Sequence, residues 1–324
     1  MASQGFLIVI ASVMFYYKYM LKPHIFSPER LTDETTVLLT TNHLGASIFG
    51  PSGQAFGDAG KDAQHLANAS GRMVIGLDRP HTGDGENYNQ PLSEAMVHQP
   101  ELVASRWVKA AEPAIEKTGA TSVELVGRSA GSNLLLEVAL LELLPISGIL
   151  TIDPVAMVRM PIWRGKLRFV KYQVMSAMQQ DTDLDDGALS LPELGATYLN
   201  SDGPLTSLRR MMARQSLDIK QYQHSWASDQ GLTAAALIAT RMRATTASFA
   251  FAGYPLSTER SRLAPKVKAL NELRRPKPNE TRAESHFVEG TTHNSFNNPK
   301  IYGAEYIRFA QMANCERVRT SETL

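Results

Sequence analysis

Residues 127–131 read Gly-Arg-Ser-Ala-Gly. A serine between glycines at this spacing can act as a nucleophile if a strand turns sharply into a helix there, because the turn projects the hydroxyl. Gly127 and Gly131 lack a Cβ, so strand and helix can approach closely around Ser129. The backbone N–H of Ala130 would then face the oxyanion that develops on an attacked carbonyl. The competing reading is a glycine-rich turn in which Ser129 only caps the following helix. As a nucleophile, Ser129 needs a base within hydrogen-bond reach and an acid that orients the base. The candidates for the base are eight histidines: His24, His43, His65, His81, His98, His224, His286 and His293.

The neighbouring elements decide whether the turn exists. Val123 to Val126 read as a short buried strand, and the run from Ser132 to Leu144 is rich in Leu, Ala and Glu with helical spacing. Strands are also expected at 35–41, 72–78, 146–153, 245–253 and 285–290. Helices are expected from about 55 to 68, within 93–119, from about 258 to 274, and after the loop that holds His293. Strands alternating with helices imply an α/β fold with a mostly parallel central sheet flanked by helices. Catalytic groups would then sit on loops beyond the carboxyl ends of the strands. His293 follows the last expected strand, whereas His286 lies inside it and reads as structural. The rhythm breaks across 154–245, where helical runs and seven methionines replace strands. That stretch reads as an inserted helical cap; its methionines suit an adaptable apolar lining, and core packing explains them equally well. The acidic loop 181–187 lacks the continued spacing and terminal glutamate of a calcium loop.

Composition narrows the classes. The 324 residues, 43% of them hydrophobic, suit one large α/β body, divided as a lead-in over 1–34, a core over 35–153 and 246–324, and the cap over 154–245. A net charge of +1 gives no reason to expect a nucleic-acid partner. Cys315 is the sole cysteine, so no internal disulfide forms, and no CxxC or HExxH spacing points to a metal. No cofactor is expected. The apolar segment 5–22 is short for a membrane span and is not preceded by the basic residues of a secretion signal. A cytoplasmic chain with this segment packed on the body is expected. Membrane association through 5–22, with tyrosines and Lys18 at an interface, is the alternative. The assembly state is not legible in the sequence.

The order of these elements resembles the α/β-hydrolase superfamily over residues 35–153 and 245–312, with 154–245 where that superfamily often inserts a lid. The elbow around Ser129 matches fully. Asn42-His43-Leu44-Gly45-Ala46-Ser47 resembles the superfamily's oxyanion loop, which would make the N–H of Leu44 a second oxyanion donor beside that of Ala130. Asp78-Arg79-Pro80-His81-Thr82-Gly83 resembles its D-x-P-G-x-G turn. In both stretches a histidine, His43 or His81, replaces a common glycine, and both would stand at the site mouth. The superfamily order of serine, acid, histidine implies that His293 is the base, with His43 its rival. For the acid, the region after the strand ending at Gly253 holds no aspartate, and Glu259 is its nearest carboxylate. The other family position, after the strand that follows the nucleophile helix, holds Asp153 before Pro154, as in some lipases. Asp153 is therefore the expected acid and Glu259 the alternative. The resemblance implies a lipase- or esterase-like serine hydrolase acting on an apolar or amphipathic carboxylic ester through an acyl-enzyme. A non-catalytic binding or scaffold protein of the same fold is the alternative.

Overall fold

The computed structural model describes residues 21–41, 48, 58–79, 99–167, 216–241, 246–254, 260–273 and 283–321. In chain order the elements are β1 (His24–Phe26), β2 (Thr36–Thr41), α1 (Asp58–Ser70), β3 (Val74–Leu77), α2 (Pro100–Thr118), β4 (Ser122–Arg128) and α3 (Ala130–Leu141). Then come β5 (Ile146–Ile152), α4 (Ser216–Ser228), α5 (Gln230–Arg241), β6 (Thr246–Tyr254), α6 (Arg260–Glu272) and β7 (Ala283–Thr292). A 3₁₀ turn (His293–Asn297) and α7 (Pro299–Ser321) end the series.

Seven strands form one sheet in the order β1-β3-β2-β4-β5-β6-β7. All neighbours pair in parallel except β1, which runs antiparallel to β3. The expected mostly parallel α/β sheet is therefore present. β1 falls in the stretch taken as a lead-in; three residues are too few to display a strand period. Its Phe26 is nonetheless fully buried against the sheet.

Helices cover both faces, so the central strands bury alternate residues in opposite directions. Val37, Leu39, Val123, Leu125, Ile149, Phe249 and Phe251 pack under α2, α3, α5 and α6. Leu38, Val126, Leu150, Ile152, Ala250 and Ala252 pack under α1 and α7. The switch of faces has a geometric cause. From β2 the chain steps outward to β3 through α1, then back across β2 to β4 through α2. Right-handed crossovers in opposite directions must lie on opposite faces. Between β2 and β4 the strand order reverses, and the crevice at their carboxyl ends is where open α/β sheets hold ligands.

Most of the region expected as a cap, 168–215, lies outside the described residues, as do Met175, Met178, Met211, Met212 and Met242. Of its described parts, α5 packs against α3 and sends Ala234, Ala235, Ile238 and Ala239 into the main core. Met157 is buried in that core, and Met160 packs with Ala130, Val155, Ala156 and Trp226. Residues 5–20 lie outside the described residues. Among the described residues no helix is long and apolar enough to cross a membrane.

Candidate active site

β4 ends at Arg128 and α3 begins at Ala130, so one residue makes the turn. Ser129 makes it with φ 53° and ψ −130°, a strained conformation for a residue with a side chain. The elbow closes because Gly127 has no Cβ: one built there would lie 2.8 Å from Leu135 Cδ1 and 2.9 Å from Ser132 Cα. The Ser129 N–H donates to the Ile152 carbonyl at 2.9 Å, fastening the turn to the end of β5. Ala130 opens α3, and the first N–H groups of a helix have no intrahelical acceptor and carry its positive dipole end.

Asp153 directly follows β5 with φ 42°, a left-handed conformation that Asp tolerates better than most residues. Its N–H donates to the Ala250 carbonyl at 2.7 Å, and its Oδ1 accepts from the Ala252 N–H at 3.2 Å. Two bonds to β6 thus aim the carboxylate. Its Oδ2 lies 2.5 Å from His293 Nδ1, and His293 Nε2 lies 2.9 Å from Ser129 Oγ. All three side chains are buried. The residues come from the ends of β4, β5 and β7, up to 164 positions apart. The structure joins Ser129, Asp153 and His293 in one hydrogen-bonded chain. Leu44, His43, His81 and the alternative acid Glu259 lie outside the described residues. His286, as expected, is held inside β7, with its Nε2 2.8 Å from Glu305 Oε2.

Several supporting residues escaped sequence reasoning. Arg128, the variable position of the elbow motif, is buried and donates from Nη1 to the Phe296 carbonyl at 2.9 Å. It links the serine turn to the histidine turn. Thr292 and Ser295 form a capping box around the turn that starts at His293. The Asn133 amide bonds both the carbonyl and the N–H of Val155, at 2.8 and 3.0 Å, bracing the loop after Asp153. Asp78, just after β3, accepts from the Ile48 N–H at 2.6 Å and so anchors Ile48, seven residues beyond the end of β2. A capping box is a recognisable local pattern; the other three depend on partners 22 to 168 positions away and leave no local signal.

A cavity of ≈ 60 Å³ lies beside Ala130, between α2, α3, α4 and α5. Glu137 lines it, and burial together with the nearby Glu101 carboxylate pushes its carboxyl up to about 7. Among the described residues, no cluster of three or more His, Cys, Asp or Glu could hold a metal ion.

No family model matches the chain, and no curated protein sequence matches it. Solved structures do. A lipase-esterase related protein from Clostridium acetobutylicum superposes with a TM-score of 0.53 at 15% identity, covering 90% of this chain and 99% of its own. The chain has the α/β-hydrolase fold. A membrane phospholipase A described as a bacterial virulence factor reaches 0.53 at 15% identity over 95% of this chain and 92% of its own. Proline iminopeptidase from Mycobacterium smegmatis reaches 0.52 at 13% identity over 90% and 94%. These α/β-hydrolase neighbours are named for work on different bonds, so the shared fold does not choose the substrate.

Proposed function

We propose that the protein is a serine hydrolase that cleaves a carboxylic ester through an acyl-enzyme. The observation that carries this reading is the 2.9 Å approach of His293 Nε2 to Ser129 Oγ, with Asp153 on the other ring nitrogen. In this reading Ser129 Oγ attacks the ester carbonyl as His293 Nε2 takes its proton. Asp153 holds the imidazole in the tautomer that accepts at Nε2, and stabilises the imidazolium that forms. The Ala130 N–H donates to the oxyanion, and the Leu44 N–H is proposed as the second donor; each donor is worth about 3 kcal/mol. The tetrahedral intermediate expels the alkoxide, which takes the proton from His293. Water then attacks the acyl-enzyme, gives its proton to His293, and the acid leaves as Ser129 regains its proton.

The substrate class in this proposal is an apolar or amphipathic ester, covered by helices from residues 154–245. A cover of this kind excludes water from the acyl-enzyme. An esterase-related protein and a phospholipase among the structures of like fold agree with an ester. The test is fluorophosphonate labelling of the wild type and of Ser129→Ala, with p-nitrophenyl ester hydrolysis measured alongside. Labelling and turnover should both vanish in the variant. Label retained on Ser129→Ala would remove Ser129 as nucleophile, and a wild type with neither labelling nor turnover would favour the binding-protein reading.

A further inference from the structure

Residues 162–167 are helical and are seated on Trp226 of α4. Gly165 makes the contact: a Cβ built on it would run into the Trp226 indole. At about 100° per residue, Trp163 and Leu167 stand on the side opposite Gly165. They are 63% and 62% exposed, more than any other large apolar side chain among the described residues. One exposed apolar residue needs no explanation, but two of them a turn apart, opposite the packed side, form a ridge. Ile162, 43% exposed, widens it. The ridge is tied to the catalytic end of the sheet, because Met160, three residues before Trp163, packs with Ala130 and Trp226.

Cations flank the ridge. On the same helical wheel Arg164 and Lys166 fall to its two sides, and Arg159 precedes it; all three are exposed. Arg164 has an interaction of its own, whereas neither Arg159 nor Lys166 is in an ion pair with a described residue. From 154 to 180 the sequence holds five Lys and Arg and no Asp or Glu. A protruding tryptophan and leucine between cations fit an anionic bilayer surface. The apolar side chains enter at the headgroup level while the cations stay with the phosphates. A second copy of the same face would set cation against cation, which repel.

We propose that the face carrying Trp163 and Leu167 docks on an anionic lipid surface, lying on the bilayer without spanning it, so that the protein meets its ester at the membrane. This surface is separate from the apolar segment 5–22. The proposal rests on the serine-hydrolase reading for the ester, but the docking itself does not require Ser129.

The experiment measures co-sedimentation of the full chain with vesicles of equal parts phosphatidylglycerol and phosphatidylcholine, and with vesicles of phosphatidylcholine alone. The wild type and Ser129→Ala should both bind the anionic vesicles, and more weakly at high salt. Trp163→Ser/Leu167→Ser should weaken that binding by at least about tenfold. Lys166→Gln should weaken it by about fivefold, the scale of one cation at an anionic surface. A second reading is spectroscopic. Trp107 and Trp226 are buried, so of the three tryptophans Trp163 alone faces the lipid. Its emission should shift to the blue on anionic vesicles and be quenched by brominated acyl chains. In the wild type, hydrolysis of an ester carried in anionic vesicles should fall in the double variant relative to hydrolysis of a soluble p-nitrophenyl ester. Binding unchanged in the double variant overturns the proposal and gives the contact to another part of the chain, such as residues 5–22. Equal binding to phosphatidylcholine alone, or self-association that the double variant abolishes without any vesicle binding, also overturns it. A wild type that binds vesicles but hydrolyses no ester removes the serine-hydrolase reading and leaves the docking face standing.

Discussion

Asp153, at the end of β5, and Glu137, on α3, are both carboxylates, yet their surroundings give them opposite demands. Asp153 is fixed by the Ala252 N–H and by His293, so its negative charge is fully used. Asp153→Asn keeps the shape but would hold the imidazole in the wrong tautomer. It should leave the melting temperature near wild type and lower kcat by about 10⁴-fold. Near-normal kcat in that variant would return the role to Glu259. Glu137 has a carboxyl raised from an ordinary 4.5 to about 7. Between those values the folded protein holds a proton that the unfolded chain releases. The stability it contributes is therefore complete below 4.5 and is lost as pH rises through about 7, by at most ~3 kcal/mol. Glu137→Gln should raise the melting temperature relative to wild type more at pH 8 than at pH 5. An equal shift at both pH values would contradict it.

At the scale of elements, the elbow is a strand and a helix brought so close that a single methyl group matters. Gly127→Ala would place its Cβ 2.9 Å from the Ser132 backbone, which cannot rotate away as a side chain can. Overpacking of this kind costs about 1–3 kcal/mol. It should also displace Ser129 against His293 and lower kcat by about 10²-fold, the scale expected of a 1 Å misplacement. Thermal melts and steady-state kinetics check both, and a variant with wild-type kcat would show that the elbow tolerates a looser approach. The strands and helices around it were readable because each carries its own period: buried apolar runs for β4 and β5, and a Leu-rich run for α3. β1 was not readable, since its pairing with β3 is decided by an edge left open in the sheet. The start of α2 at Pro100 and its left-handed stop at Gly119 are, by contrast, local signals that coincide with the structure.

Across the whole molecule, one buried charge cluster ties distant parts of the chain together. Arg72, just before β3, meets Glu124 of β4 at 2.6 Å, Asp33 at 3.0 Å and the Tyr306 hydroxyl of α7 at 3.3 Å. Glu124 is 1% exposed in the middle of the sheet, where an unpaired charge is costly. Glu124→Ala should therefore destabilise the protein by about 3 kcal/mol in urea unfolding. Arg72→Met with Glu124→Met should cost less than that single change, because no charge is left stranded. A double variant worse than Glu124→Ala would show that the pair contributes more than the charges' mutual rescue.

The sequence by itself determined the alternation of strands and helices, the elbow at Ser129, and the position of His293 beyond the last strand. Those features depend on residue spacing over a few turns or strands. Asp153 was legible as the expected acid with Glu259 as its alternative, because an aspartate before Pro154 also reads locally as a turn residue. The tertiary structure brings the ends of β5 and β7 within reach of each other across β6, so that Asp153 Oδ2 meets His293 Nδ1, while Glu259 lies outside the described residues. It also decided the roles of Arg128, Asn133 and Glu124, whose types suggest surface or helix positions. The physical reason is the same in each case: a buried polar group is fixed by the partner that satisfies it, and the fold supplies that partner from far along the chain.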